Sequence, residues 1–419
     1  ALTFIQQTQP KVWNKLESLH GKDTSERVLS SLCKWLDTHG TLNTLRQGFK
    51  CYGKNLRIAY FCPAHSLNLE LEQRYQANQL SITRQLYFSP KTKQSLDTVL
   101  SINGIPLVTI ELKNPMSGQT VEGAIQQYRN DRDPREKLFE FKKRALVHFA
   151  VDTEEVHMAT RLAGSSTYFL PFNRGNDNSA GNAPDLNGRN YRTAYLWEEV
   201  LQRDSLMDLL ARFLHLQIDE KVSDEGKKIR KETLIFPRYH QLRAVRKLVN
   251  QSSEEGIGHN YLIEHSAGSG KSNTIAWLAH RLSSLHNNED ERVFDSVVVI
   301  TDRVVLDRQL QETIYQFDHK QGVVQKIDEN SRQLAEALQD GVPVIITTLQ
   351  KFPFVSKQLL KMAEERGENG DFAHLPTRHY AVIIDEAHSS QSGETATELK
   401  GVLGGADLIQ KAKEEAQEE

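Results

Sequence analysis

The stretch LDTVLSINGIPLVTIELKNP, residues 96 to 115, places two acids and a lysine among apolar, strand-forming residues. Runs rich in Val, Ile, Leu and Thr flank an Asn-Gly dipeptide that is typical of tight turns, so the stretch predicts a β-hairpin. Charged side chains are costly to bury without partners. The positions of Asp97, Glu111 and Lys113 therefore need an explanation beyond packing.

The register of this hairpin decides whether the two acids can act together. With a regular two-residue turn, Asp97 pairs with Ile110 and points away from Glu111. With a three-residue loop, Asp97 faces Thr109 and lies diagonal to Glu111, at about 7–8 Å on the same face. We predict the three-residue loop or an equivalent bulge.

The chemistry that fits this pattern is phosphodiester hydrolysis. Divalent-metal nucleases need carboxylates that converge on a cation, with a lysine nearby to orient the nucleophile and offset negative charge. Glu111 and Lys113 share a face because side chains alternate along a strand. Asp97 and Glu111 are the candidate metal ligands, and all three residues are candidate catalytic residues. A solvated strand face is the alternative interpretation of the same spacing.

The second half of the chain alternates strand and helix patterns from about residue 231. Near-continuous Val and Ile runs occur in NYLIEH, SVVVITDR, VPVIITT and YAVIIDEAH, with helical segments between them. Such runs are typical of a parallel sheet that is covered on both faces.

A phosphate-binding loop is predicted in YLIEHSAGSGKSNTIAWLAH, residues 261 to 280. Small residues let backbone N–H groups curl around phosphate, and the following helix N-terminus favours negative charge. The expected roles are a backbone cradle, a lysine on the β/γ-phosphates and a serine on Mg²⁺, supplied by Gly268, Ser269, Gly270, Lys271 and Ser272. His265 stands where the usual pattern has Gly, and an accidental turn before a helix is the alternative.

The acidic end of YAVIIDEAH is the expected partner of this loop. Asp385 can hold Mg²⁺ and Glu386 can polarise an attacking water when they follow a buried parallel strand beside the loop. Alone, an Asp-Glu pair after an apolar strand would be read as a helix cap or surface turn.

Composition places the chain among globular proteins: 38% of residues are apolar, 26% are charged, and no apolar run is long enough to cross a bilayer. The N-terminus lacks the apolar centre of a secretory signal, and three unclustered cysteines fit a reducing compartment. We therefore expect a cytoplasmic protein without a membrane partner. A net charge of −3 neither supports nor excludes DNA binding.

The rest of the chain falls into recognisable segments. Helical spacing marks residues 1–55, where Ser25 could cap a helix that ends at Gly40. Short β-rich runs follow from residue 80 to 112, and a strand pair is expected at 145–162. The domains are predicted as an α/β domain at 1–172, a flexible loop at 173–190 plus a helical linker up to 230, and a parallel-sheet P-loop domain at 231–419.

The second half resembles the first RecA-like lobe of superfamily 2 helicases and translocases. The motif FPRYHQ resembles the adenine-reading segment, with Gln241 as the reader. VVVITDR and VIITTLQKF resemble the segments that grip the nucleic-acid backbone, which implies DNA contacts for Arg303, Thr347 and Thr348.

The whole chain resembles the restriction (motor) subunit R of type I restriction-modification enzymes. In that family's order it carries LDTVLSINGIPLVTIELKNP, AIQQYRNDRDP, LPFNRG, AYLWEEVLQRDSLMDLLARF, EHSAGSGKS, VVVITDR and IIDEAH. The resemblance implies a PD-(D/E)xK endonuclease domain and an ATP-driven double-stranded DNA translocase, a type I site-specific deoxyribonuclease that uses ATP and Mg²⁺. Its implied partners are separate specificity and methyltransferase subunits.

Two departures from the family qualify these expectations. The family's QxxxY element is incomplete because position 124 is Ala, which leaves Gln126 and Tyr128 either as nuclease auxiliaries or as plain helix-surface residues. A second RecA-like lobe with its arginine finger is not in the sequence, so we expect this chain to bind ATP, to hydrolyse it poorly and not to translocate.

Two rival functions stay open. One is a superfamily 2 ATPase whose first domain is a degenerate nuclease that serves only in binding. The other is a small-molecule P-loop kinase or transport ATPase.

Overall fold

The computed structural model describes residues 1–63, 68–176, 179–185, 188, 190–222, 226, 228–301, 310–315, 323–327, 329–365, 378–386 and 402–403. Contacts within the chain divide it into two compact units, Ala1–His240 and Gln241–Glu419. The finer division that we predict from the sequence remains a proposal.

The first unit begins with helices. They are α1 (Leu2–Thr8), α2 (Pro10–His20), α3 (Thr24–His39) and α4 (Thr41–Gln47), followed by the hairpin β1 (Phe49–Cys51) and β2 (Lys54–Leu56) and by α5 (Leu69–Gln76). In α3 the apolar stripe Val28, Leu32 and Leu36 is buried, as its spacing predicts. Gly40 ends the helix as predicted, whereas Ser25 is not its cap because the helix already starts at Thr24.

A six-stranded mixed sheet forms the centre of this unit. Its strands are β3 (Leu80–Tyr87), β4 (Ser95–Ile102), β5 (Ile105–Leu112), β6 (Val147–Val151), β7 (Val156–Ala159) and β8 (Leu170–Pro171), and they lie side by side in chain order. Only the β5–β6 pair is parallel. The predicted hairpin and the predicted strand pair of residues 145–162 are thereby confirmed.

Helix α6 (Val121–Asn130) connects β5 to β6 and covers one face of the sheet. A helix is needed here because parallel neighbours cannot be joined by a tight turn. Its buried residues Ala124, Ile125 and Tyr128 pack with Val99 and Phe139 in the core. Helix α6 is thus fixed against the strand that carries Glu111.

The segment after this sheet differs from the predicted long helix and charged connector. Residues 196–216 form two π-helical turns, Leu196–Val200 and Leu209–Phe213, around the short helix α7 (Arg203–Asp208). The expected connector belongs to an antiparallel pair, β9 (His215–Val222) and β10 (Lys228–Ile235). Apolar spacing predicted helicity correctly but could not indicate where the helix breaks.

The second unit contains a four-stranded parallel sheet. Its strands are β11 (Ser296–Thr301), β12 (Val324–Lys326), β13 (Val344–Thr348) and β14 (Tyr380–Ile384), in the spatial order β12-β13-β11-β14. The helices are α8 (Tyr239–Glu255), which starts at the unit boundary, α9 (Lys271–Leu282), α10 (Ser331–Asp340) and α11 (Val355–Glu365). The predicted parallel sheet is confirmed for three of the four Val/Ile runs.

The remaining Val/Ile run, NYLIEH, which comes first of the four in the sequence, is not a strand. Residues 260–265 form no regular secondary structure, and Leu262 is 78% exposed. Tyr261 and Ile263 are exposed as well. Apolar content alone predicts a strand here, but a strand also needs a neighbour for its backbone hydrogen bonds.

Among the described residues, no helix is both long and apolar enough to span a membrane.

Candidate functional site

The hairpin turn contains two residues, so the predicted three-residue loop is wrong. Ile102 pairs with Ile105, and both turn residues have positive φ, 49° at Asn103 and 82° at Gly104. Asn-Gly is the preferred sequence for such a turn. The Asn103 side chain also donates to Ile58 O at 2.8 Å and accepts from Gln79 N at 2.9 Å, which stabilises its backbone conformation.

The bulge that we predicted as the equivalent of that loop is present in β5. Ser101 pairs with Pro106 but Leu100 pairs with Val108, which leaves Leu107 as an extra residue. A bulge shifts every later pair by one position and so exchanges the faces of the strand relative to its neighbour. By itself, the two-residue turn would place Asp97 and Glu111 on opposite faces of the hairpin. The bulge shifts the register by one residue and returns them to the same face.

The shifted register brings Asp97 opposite Glu111. The last regular pair is Thr98 with Ile110, so the next pair joins the two acids on one face of the sheet. Asp97 Oδ2 accepts from Leu112 N at 2.8 Å, and Oδ1 accepts from Gln85 Nε2 at 3.0 Å. The two carboxylates are cross-strand neighbours, closer than the diagonal arrangement that we predicted.

The Glu111 carboxylate is fully buried and is asymmetrically paired. Its Oε1 accepts from Arg132 Nε at 2.8 Å, and Arg132 Nη2 lies 2.6 Å from the same oxygen. Its Oε2 is buried without a hydrogen-bond partner among the described residues. Burial raises the pKa of Glu111 to about 7, Arg132 opposes this increase, and the neighbouring Asp97 carboxylate adds to it.

Lys113 follows β5 and is held by helix α6. Its Nζ donates to Gln127 Oε1 at 2.6 Å, and its backbone N donates to Val151 O at 2.8 Å. The backbone bond extends the ladder beyond Leu112, so Lys113 keeps the strand alternation and projects to the same face as Glu111. The three residues singled out by sequence therefore share one face.

A buried hydrogen-bond network supports this face. Thr109 Oγ1 lies 2.8 Å from Tyr128 Oη and 2.7 Å from His148 Nδ1. Burial lowers the pKa of His148 to about 3, so this imidazole is neutral and part of the core. Tyr128 thus stabilises β5 through its hydrogen bond with Thr109. Gln126, by contrast, is exposed and donates to Glu122 on its own helix.

Sequence reasoning missed Arg132, Gln127 and Gln85. Arg132 and Gln127 pair with Glu111 and Lys113, and Gln85 pairs with Asp97. Nothing in a single sequence separates Arg132 and Gln85 from ordinary surface polar residues. Gln127 could have been found by its place one residue before Tyr128 on the helix that follows the ELK triplet.

The two carboxylates suit a hard cation such as Mg²⁺. Among the described residues there is no group of three or more His, Cys, Asp or Glu side chains arranged to hold a metal. Mg²⁺ usually keeps several waters and binds through one or two carboxylates together with substrate phosphate. A buried, unpaired oxygen on Glu111 beside Asp97 fits that mode of binding.

The glycine-rich loop that the sequence predicts to bind phosphate forms a turn directly before α9 in the second unit. Gly268 and Gly270 have positive φ, 74° and 87°, and α9 begins directly afterwards at Lys271. Ser272 is the second residue of that helix. Gln241 Nε2 donates to Gly270 O at 2.9 Å and to Ser269 O at 3.3 Å, so the side chain lies against the loop.

The acidic pair after β14 reaches the same loop. Lys271 Nζ forms an ion pair with Glu386 Oε1, and this contact raises the pKa of Lys271. Asp385 N donates to Ile300 O at 2.9 Å, and burial raises the pKa of the Asp385 carboxyl. The structure thus brings Lys271, Asp385 and Glu386 together.

The residues expected to contact DNA are only partly described. Thr347 and Thr348 are buried in the last two positions of β13. Arg303 lies outside the described residues, and so does His388 of the DEAH motif. Their DNA role stays a prediction.

Family models match both units. Residues 20–167 match the model of the type I restriction enzyme R protein N terminus, and residues 240–410 match the SWI2/SNF2 ATPase model. The chain is 27% identical over 319 residues to the endonuclease subunit of the type I restriction enzyme SsaAORF53P of Staphylococcus saprophyticus, covering 76% of this chain and 30% of that protein. It is also 27% identical over 317 residues to the endonuclease subunit of the type I restriction enzyme HindI of Haemophilus influenzae, covering 72% and 27%. A putative type I restriction enzyme endonuclease subunit of Methanocaldococcus jannaschii, MjaVIIIP, is 25% identical over 358 residues, covering 80% and 31%.

These matches support a fragment of a type I restriction enzyme R subunit, and the second unit is similar to a SWI2/SNF2-type ATPase domain. The chain spans about 30% of the length of the curated relatives that it matches.

Proposed function

We propose that this chain carries the nuclease site and part of the motor of a type I restriction endonuclease, a PD-(D/E)xK enzyme that cleaves double-stranded DNA with Mg²⁺ after ATP-driven translocation. The specificity and methyltransferase subunits of the system would choose the site. The single observation that carries the nuclease half is that Asp97 lies opposite Glu111, whose second oxygen is buried and has no hydrogen-bond partner among the described residues.

Each residue of the nuclease face has a distinct role in this proposal. Asp97 and Glu111 would hold Mg²⁺, which when bound supplies a polarised phosphate and an activated water. Lys113 would offset the negative charge that develops on the phosphate, and Gln127 holds its ammonium in place. Because Glu111 is buried, water would screen its interactions with a bound cation and with Lys113 less than at the surface.

The motor half uses the phosphate loop. The backbone of Gly268, Ser269 and Gly270 would cradle phosphate, with Gln241 contacting the adenine. Lys271 would contact the β/γ-phosphates and Ser272 and Asp385 would hold a second Mg²⁺, while Glu386 would polarise the attacking water. The Lys271–Glu386 ion pair would weaken when phosphate binds, because the Lys271 ammonium would then also donate to phosphate oxygens, whose negative charge repels the Glu386 carboxylate.

Cleavage by the intact subunit tests the nuclease half. With partner subunits, ATP and Mg²⁺, Glu111→Gln and Lys113→Ala should each abolish cutting of double-stranded DNA. Both variants should retain DNA-stimulated ATP hydrolysis, and Glu122→Gln, an exposed acid on α6, is the matched control. Cutting that survives in Glu111→Gln would refute the assignment, and ATPase activity that does not respond to DNA would refute the motor.

A second candidate is a degenerate nuclease domain that only binds DNA or another subunit. The observation that favours it is the buried Arg132–Glu111 ion pair, which already neutralises the carboxylate. This candidate predicts that Glu111→Gln leaves the activity of the full assembly unchanged.

A further inference from the structure

Arg132 is a buried cation that is fixed from several directions. Its side chain is 2% exposed, and it follows α6 in the turn after Asn130. Besides Glu111, its Nη2 donates to Ser95 O at 2.9 Å, and its guanidinium lies 5.3 Å from the centre of the Phe88 ring. A buried charge is tolerated only when it is paired and hydrogen-bonded, and these contacts meet that condition.

The way in which Arg132 contacts Glu111 is unusual for such a pair. An arginine fork often binds a carboxylate through two parallel bonds, one to each oxygen. Here Nε and Nη2 both contact Oε1, and Oε2 is left without a partner among the described residues although it is buried. Because Ser95 O holds the same Nη2, the guanidinium cannot turn toward Oε2 without losing that bond.

We propose that Arg132 is a positioning residue of the nuclease site: it holds one oxygen of Glu111 and so presents the other oxygen, beside Asp97, to the divalent cation. This inference rests on the proposed nuclease function. It assigns to Arg132 the part that hydrogen-bonded outer groups play around metal ligands, which is to fix the orientation of the ligand before the metal arrives.

A purely neutralising role for Arg132 predicts the opposite change in cation affinity. If Arg132 only neutralises a buried acid, it competes with the cation for Glu111, and weakening the pair should tighten cation binding. If Arg132 positions the carboxylate, weakening the pair should loosen binding, because Glu111 then samples other rotamers.

The test measures Mn²⁺ binding to the full chain by electron paramagnetic resonance. All proteins carry Asp385→Asn, which removes the carboxylate that we propose as a ligand of the second cation, beside the phosphate loop. Arg132→Lys keeps the charge but replaces the planar guanidinium, whose Nε and Nη2 both contact Glu111 Oε1, by a single ammonium, and its Mn²⁺ dissociation constant should rise about 10- to 100-fold. Phe88→Leu keeps both charges and removes the aromatic face under the guanidinium, so it should shift the constant in the same direction by less.

Arg129→Lys is the matched control. Arg129 is on α6, where it donates to Thr167 O at 3.2 Å and pairs with Glu122. Its partners do not include Asp97 or Glu111, so its replacement should leave Mn²⁺ binding unchanged. Circular dichroism of each variant shows whether it is folded.

The outcomes separate the two hypotheses. Unchanged or tighter Mn²⁺ binding in Arg132→Lys overturns the inference, and if that variant does not fold, unchanged binding in Phe88→Leu overturns it. If the parent protein and its Glu111→Gln variant bind Mn²⁺ equally, there is no cation at Glu111, and the proposed nuclease site fails together with the inference. Weaker binding in Arg132→Lys and Phe88→Leu, with Arg129→Lys unaffected, supports the inference.

Discussion

Replacing Glu111 by Gln should remove a pH-dependent loss of stability from the first unit. The folded-state pKa of Glu111 is raised from 4.5 to about 7 by burial, so the folded protein binds this proton more tightly than the unfolded chain does. The stabilising contribution is fully present below about pH 4.5 and is lost as pH rises through about 7. The difference between the two pKa values corresponds to about 3 kcal/mol.

Urea unfolding at several pH values measures this effect. The chain has four tryptophans, and Trp277→Phe leaves only Trp13, Trp35 and Trp197, all of them in the first unit. Between about pH 4 and about pH 8, the free energy of unfolding of the parent protein should fall by about 3 kcal/mol relative to that of its Glu111→Gln variant in the same background. Glu122→Gln, which changes an exposed carboxyl, should follow the parent protein.

The reasoning is refuted if the parent protein and the Glu111→Gln variant show the same pH dependence. That result would mean that Glu111 titrates near its ordinary value, and so that Arg132 fully compensates the cost of burial.

Three further predictions address the turn, the network and the phosphate loop. Asn103→Ala should lower the free energy of unfolding of the first unit by about 2–3 kcal/mol, because it removes buried hydrogen bonds at a residue with positive φ, and a loss below about 0.5 kcal/mol in urea unfolding would contradict this. Thr109→Val should cost about 1–3 kcal/mol by the same measurement, since Tyr128 Oη and His148 Nδ1 lose their shared partner, and Thr109→Ser should restore most of the loss. Lys271→Ala should weaken binding of a fluorescent ATP analogue about tenfold or more, with the exposed Lys357→Ala as control, and equal affinity in both variants would show that the loop does not bind phosphate.

Local patterns predicted many elements of the fold. Apolar spacing predicted α3, and β-rich runs predicted β3 to β7, because each of these signals is set by residues close in sequence. The run at residues 260–265 failed for the same reason: its apolar residues satisfy the local pattern, but pairing with a neighbouring strand is not a local property. The helical prediction for residues 196–216 failed in part, because apolar spacing does not distinguish a continuous helix from a series of π turns.

The sequence by itself determined the chemical groups available to this protein: two acids and a lysine around an Asn-Gly turn, and a Gly-rich loop with a later Asp-Glu pair. The tertiary structure alone decided that the bulge lies at Leu107, that Asp97 therefore comes directly opposite Glu111, and that Arg132 occupies one oxygen of Glu111. The physical reason is that one extra residue in a strand exchanges its two faces, while a buried arginine must find a carboxylate that is distant in the chain. Neither requirement leaves a mark on the residues nearby in sequence.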